Sequence, residues 1–307
     1  MNLHALLLAA IRLSTPLLFA AMGGALTYQA GMLNIALDGF MIVAAFFGVA
    51  TAAATGSLAL AVIAAVVSAI LLAALLATFN LRLNADIFIA GIAVTFLSYG
   101  LTGLLLKNLL GQEGVFAPPA IPRFTPIRLP LVEEIPLLGS LLSGQTILVY
   151  AAFLSVPVVA WSLYRTRWGL RVRMVGAAPD AAEAAGIRVG RIKAQTMLLS
   201  GLFCGLGGVY LSLGYLSLFA REMTGERGLI ALAAIFFARG RPFRTAAAVL
   251  MFGCMSALAV ELPQVTTIAP ELLQLVPYLA AVAALGVIGA RNVRGRDRHA
   301  AWRFEIE

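Results

Sequence analysis

Histidine, lysine and cysteine are almost missing from this chain of 307 residues. The two histidines, His4 and His299, stand at opposite ends, which leaves no imidazole cluster for a metal or acid–base site within the body of the chain. The lysines are Lys107 and Lys193, and neither sits in a G-x-x-x-x-G-K-[ST] loop. The chain therefore has no phosphate-cradling loop with which to use a nucleoside triphosphate by itself. Cys204 and Cys254 lie in apolar runs with neither a disulfide framework nor metal spacing around them, where cysteine behaves as a small apolar side chain. Charge is also scarce: only 12% of residues are Asp, Glu, Lys or Arg, about half the share usual in soluble domains.

What fills the chain is hydrocarbon. Hydrophobic residues make up 61% of it, and the mean hydropathy is +0.95. Runs at Leu58 to Phe79, Ile87 to Leu106, Thr146 to Leu163, Ala194 to Leu216, Ala246 to Leu262 and Leu272 to Ile288 approach or reach the roughly 20 residues that cross a bilayer as a helix. They lack the alternating polarity of barrel strands. The composition predicts an all-α polytopic integral membrane protein, a single transmembrane domain over residues 1–307 surrounded by the lipid bilayer.

The net charge of +8 would suit a nucleic-acid partner, but its placement serves topology instead. Arg165, Arg167, Arg171, Arg173, Arg188, Arg191 and Lys193 crowd into one connection, and Arg291, Arg294, Arg296, Arg298 and Arg303 into the tail. The positive-inside rule puts the segment 165–193 and the tail 291–307 in the cytoplasm. The connection 108–144 carries Glu113, Glu133 and Glu134 and falls outside. Threading these sides through the runs predicts about nine crossings, N-terminus outside and C-terminus inside, with no role for nucleic acid. Residues 1–29 lack a strong basic leader region and a convincing cleavage site, so they are read as the first helix.

One span looks broken. In AGMLNIALDGFMIVAAFFG, from Ala30, polar Asn34 and Asp38 precede Gly39 where lipid-facing side chains belong. An Asp at depth costs roughly 2.5–3.5 kcal/mol on insertion scales, so it must face protein or a wet cavity. Asn34 and Asp38, four apart, would share one helical face, and Gly39 would let another backbone come close. Two readings stand. The pair reads either as helix capping, Asn34 at the N-cap and Asp38 in the first turns, or as a helix broken at depth whose polar end lines a passage.

A second break has the same outline. Gly207 and Gly208, then a polar interruption, then an apolar run from Gly228 match Gly23 and Gly24, the Asn34–Asp38 interruption and the run from Gly39. One copy begins outside and the other inside, as an inverted repeat requires. The run Leu229 to Ala238 is too short to span and predicts a half or re-entrant helix.

Within the cytoplasmic connection, GAAPDAAEAAGIRVGRIKAQ from Gly176 carries the start and stop of a short helix: Pro179 in the first turn, Asp180 and Glu183 against the N-terminal dipole, and Gly186 at the end. A helix of about seven residues is marginal alone and needs a surface to rest on. That surface is either a partner's groove, which the slim alanines would fit, or the chain's own bundle.

GMLNIALDGFMIVAAFFG from Gly31, GAAPDAAEAAGI from Gly176 and GLIALAAIFFARGRPFRTAAAVLMFG from Gly228 together resemble the permease subunits of ABC importers in the branched-chain amino acid and simple-sugar group. The likeness is closest to the general nucleoside permeases and runs over nearly the whole chain. Asp38 stands where that family more often has Glu, and Ala238 where it has Gly. The resemblance implies that Pro179, Asp180, Ala182, Glu183, Ala185 and Gly186 form the coupling helix to a cytoplasmic ATPase. It implies that Asn34, Asp38 and Gly39, with Glu226, Arg227 and Gly228, shape the translocation pathway. It further implies a second permease chain in a heterodimer, an external substrate-binding lipoprotein, and a place in a bacterial inner membrane. ATP and magnesium belong to the ATPase, and no cofactor, metal or catalytic residue belongs to this chain. The mechanism implied is import by alternating access.

Cargo stays open among nucleosides, simple sugars and branched-chain amino acids. Tyr28, Phe40, Tyr210, Tyr215 and Phe219 lie near the breaks and suit either a nucleobase or the membrane interface. An ion-coupled transporter using Asp38, Glu222 or Glu261 is the rival reading. A membrane-embedded enzyme lacks a convergent nucleophile and base.

Overall fold

The computed structural model describes residues 3–119, 121–127 and 143–261. Ten α-helices carry them: α1 (Leu3–Gln29), α2 (Leu37–Thr55), α3 (Leu58–Leu81), α4 (Ile87–Leu110), α5 (Ile147–Arg165), α6 (Arg167–Ala177), α7 (Pro179–Ala184), α8 (Val189–Val209), α9 (Arg227–Ala238) and α10 (Pro242–Glu261). The end of α8 widens into a π-helical turn, Tyr210–Leu216. Two short strands, β1 (Val115–Phe116) and β2 (Phe219–Ala220), pair antiparallel.

Local chemistry sets the boundaries. Ser57 caps α3 by accepting from the Leu60 N–H, and the Asp86 carboxylate caps α4 by accepting from Phe88 and Ile89. α2 and α4 each stop at a left-handed glycine, Gly56 and Gly111. α1 runs unbroken through Pro16, which a packed membrane helix tolerates because neighbours satisfy the freed carbonyl.

Small residues bring the helices together. α3 buries Ala61, Ala65, Ala69, Ala73 and Ala77, one every fourth residue and so along one face. Gly201 and Gly205 of α8 meet that face: a Cβ on Gly201 would lie 2.6 Å from the Ala73 Cβ, and one on Gly205 would lie 3.0 Å from the Val66 Cα. This small-residue packing replaces the hydrophobic driving force that is missing between helices in lipid. α1, α2 and α8 are the most buried spans, whereas α3, α4 and α10 are the least buried. Ile63, Leu71, Phe96 and Leu104 stand on the outside, a surface suited to hydrocarbon as solvent.

Seven helices among the described residues are long and apolar enough to span: α1, α2, α3, α4, α5, α8 with its π turn, and α10. The expected count of nine is not reached among them, and the run Leu272 to Ile288 and the tail 291–307 lie outside the described residues. α9, at 12 residues, is as short as expected. α6 is a helix that the arginine-rich connection concealed, since its residues read as a topology signal. Of the connection 108–144, the described part includes the end of α4, β1 and a single bridge between Ile127 and Gln145.

Candidate functional site

The two breaks meet at Asp38. α1 ends at Gln29, residues 30–36 are non-helical apart from a turn, and α2 starts at Leu37, so Asp38 sits in its first turn. Its carboxylate turns away from α2 towards α9. Oδ1 accepts the Gly228 N–H at 2.9 Å, and Oδ2 accepts the Thr224 hydroxyl at 3.0 Å and the Tyr99 hydroxyl. The Tyr99 and Thr224 oxygens are 3.0 Å apart. Gly228 is in the first turn of α9, so one carboxyl group sits at the N-terminal ends of two helices. Asp38 is 4% exposed, and its three donors and two helix ends come from protein alone.

Glycine makes the approach possible. A Cβ on Gly228 would lie 2.6 Å from the Asp38 Cβ and 2.7 Å from its Cα, closer than side chains tolerate. Gly39 meets α4 in the same way, a Cβ there falling 2.9 Å from both the Ser98 Oγ and the Thr95 Cα. The expectation that Gly39 admits a neighbouring backbone therefore holds, and the neighbour is α4.

Asn34 is placed differently from the sequence expectation. It lies before α2 rather than on it, so it shares no helical face with Asp38, and the N-cap is Ala36. Its Oδ1 accepts the Ala36 N–H at 3.0 Å, bracing the break, while its Nδ2 donates to Ser200 of α8 at 3.0 Å. Glu226 is exposed in a left-handed conformation immediately before α9, and Arg227 donates back to the carbonyls of Met223 and Thr224. Of the six residues expected at the pathway, Asp38 and Gly228 touch each other; Asn34 and Gly39 brace α2 from other sides.

Tyr99, Thr224 and Ser200 escaped the sequence reading. Tyr99 had a signal: Thr95, Ser98, Tyr99 and Thr102 recur at helical spacing inside an apolar run, giving α4 one polar face. Among the aromatics near the breaks, Phe40 is fully buried, Phe219 packs edge-on against Phe46 at 5.2 Å, and Tyr28 packs edge-on against Phe236 at 5.8 Å. Tyr210 is buried beneath Tyr215, their rings stacked at 6.3 Å, and Tyr215 keeps an exposed face.

The connection between α8 and α9 is bent hard. Ser217, Glu222 and Glu226 hold φ of 56°, 61° and 55°, each at a cost of roughly 1–3 kcal/mol for a residue with a side chain.

At the far end of α8, α7 begins with Pro179, has Asp180 in its first turn and closes beside Gly186, whose φ is 78°. Ala182 is buried, whereas Pro179, Asp180, Ala181, Glu183, Ala184, Ala185 and Gly186 are exposed. One alanine anchors this helix to its own chain and the rest of its surface is open.

Residues 6–285 match the family model described as branched-chain amino acid transport system, permease component. The chain belongs to this permease family. It is 30% identical over 284 residues to the nucleoside ABC transporter permease protein NupC of Lactococcus lactis, covering 89% of each chain. It is 32% identical over 311 residues to the putative glucose ABC transporter permease protein TsgC13 of Haloferax volcanii, covering 94% of this chain and 93% of the relative. It is 31% identical over 290 residues to the guanosine ABC transporter permease protein NupQ of Bacillus subtilis, covering 90% of this chain and 89% of the relative. Each of these organisms supplies a second, more distant permease match. No solved structure matches the chain. As an ABC transporter permease it is a multi-pass membrane transport subunit.

Proposed function

We propose that this permease is one of two unlike membrane chains of a bacterial ATP-driven importer, and that its cargo is a nucleoside. The observation that carries the reading is similarity along nearly the whole chain to NupC and NupQ. A weaker match to a second permease from the same organisms supports pairing with a different chain. The exposed α7 supports docking onto a cytoplasmic ATPase, through Pro179, Asp180, Glu183, Ala185 and Gly186, with Ala182 as its anchor. ATP and magnesium act on that ATPase. Its closure pulls α7, rocks the spans, and releases inside a solute delivered outside by a binding lipoprotein.

Asn34, Asp38, Gly39 and Gly228 act in this cycle by fixing where α2 and α9 start, and Glu226 and Arg227 by shaping the entry to α9. An ion-binding task for Asp38 is disfavoured because its oxygens already accept three protein donors. Glu222 is exposed, and the side chain of Glu261 lies outside the described residues.

The likeness to TsgC13 favours a sugar as the second reading. The test is uptake of radiolabelled guanosine and glucose by vesicles holding the permease pair, the ATPase and the binding protein. ATP-dependent guanosine uptake insensitive to ionophores is expected. Glucose uptake alone would move the cargo to sugars, and uptake that collapses with the ion gradient but persists without ATP would defeat the importer reading.

A further inference from the structure

We propose that residues 217–226, between the π turn and α9, form a strap that covers the Asp38 cluster and swings away during the transport cycle; its place in transport rests on the reading above. The strap has two unlike sides. Phe219, Met223 and Thr224 are buried, whereas Arg221, Glu222, Gly225 and Glu226 are exposed. Beneath it lie Phe46, which meets the Phe219 ring at 5.2 Å, and Asp38 and Tyr99, which meet Thr224. Among the described residues it is thus a single layer of chain over a polar floor at the start of both broken helices.

Its ends are built as hinges. Ser217 closes the π turn with φ 56°, and Glu226 precedes α9 with φ 55°. Positions at the ends of elements absorb the backbone rotation when a segment swings, and a π turn is a local widening common at functional sites. Arg227 at the start of α9 donates to the carbonyls of Met223 and Thr224 at 3.0 and 2.9 Å, and these two bonds open when Glu226 rotates.

Among the described residues the polar latches are few. β1 pairs with the strap through two residues only, Val115 opposite Ala220 and Phe116 opposite Phe219, and Arg221 donates its N–H to the Gly114 carbonyl at 2.7 Å. A strand pair this short has no stability of its own. The Thr224 hydroxyl on Asp38 is the latch on the inner side. Releasing β1 and Thr224 exposes the Asp38–Tyr99 floor to the side that holds residues 111–119, without unfolding any helix.

The test places cysteines at Val115 and Ala220 in a chain whose Cys204 and Cys254 are replaced by alanine, within the full complex. Opposed residues of an antiparallel pair lie within disulfide reach. Copper–phenanthroline is expected to cross-link the pair in the resting complex and to lose that cross-link in the complex trapped with ATP and vanadate. Equal yields in both states, or no cross-link in either, would overturn the strap. In vesicles, guanosine uptake is expected to stop on oxidation and return with dithiothreitol; uptake at the reduced rate by fully cross-linked protein would also overturn it. Failure of the unmodified complex to take up guanosine would instead defeat the nucleoside reading and leave the cross-linking result standing.

Discussion

The Asp38 carboxylate accepts the main-chain N–H of Gly228 at 2.9 Å, across 190 positions of sequence. A side chain from the first turn of α2 thereby does for α9 what a local N-cap normally does, and the two broken helices start from a shared carboxyl group. Asp38→Ala removes the shared acceptor of the Gly228, Tyr99 and Thr224 donors, each bond being worth about 1 kcal/mol. The thermal midpoint of the purified complex is expected to fall sharply. Asp38→Asn keeps one acceptor for Gly228 and faces two hydroxyls that accept as well as donate, so its loss should be smaller.

Tyr99 and Thr224 donate to the same oxygen of Asp38. Tyr99→Phe and Thr224→Val should therefore be coupled: each costs about 1 kcal/mol alone, and the pair should depart from the sum by more than about 0.5 kcal/mol. A double-mutant cycle on thermal or denaturant unfolding in detergent measures this, and strict additivity would mean that the two hydroxyls act separately.

Gly228→Ala drives a methyl into Asp38, whereas Gly190→Ala, near the start of α8, meets nothing within 4 Å. The first is expected to destabilise the protein by about 1–3 kcal/mol and the second to leave it unchanged or slightly firmer. Size-exclusion profiles after graded heating compare the two directly.

On α7, Ala181 is exposed and Ala182 buried, one residue apart. Ala181→Trp should leave the chain inserted and folded but abolish co-purification of the ATPase, because the bulk falls on the face of α7 proposed to dock it. Ala182→Trp should damage the chain itself, lowering its yield in the membrane. Equal ATPase recovery with Ala181→Trp and the unmodified chain would remove α7 as the docking element.

Much of this architecture was legible because hydrocarbon length and glycine punctuation are local properties. α3 and α4 start beside Ser57 and Asp86, and α2 and α4 end at Gly56 and Gly111, all visible in sequence. α7 appeared with its proline start and glycine stop for the same reason. Asp38 stood out by its insertion cost, but its partners did not, since Tyr99, Thr224 and Gly228 reach it only after α4 and α9 are packed. Asn34 was misplaced by one assumption, that α2 begins before it; the break is longer than a capping motif. The π turn carries no pattern that distinguishes it from α-helix, and the arginines of α6 disguised a helix as a charge signal.

The glycine contacts of α8 have a mechanical consequence. Gly201 and Gly205 bring α8 close to the backbone and small side chains of α3, and Gly208 does the same on α2, so little side-chain bulk separates this helix from those two neighbours. The helix starts a few residues after α7 and, with its π turn, runs 28 residues to Leu216, about 40 Å at 1.5 Å per residue. On the proposed docking of α7, a displacement at that end would pass along α8 towards Tyr215 and Ser217. α8 is a push-rod in a tight sleeve, with the first compliant joint in its path at the π turn.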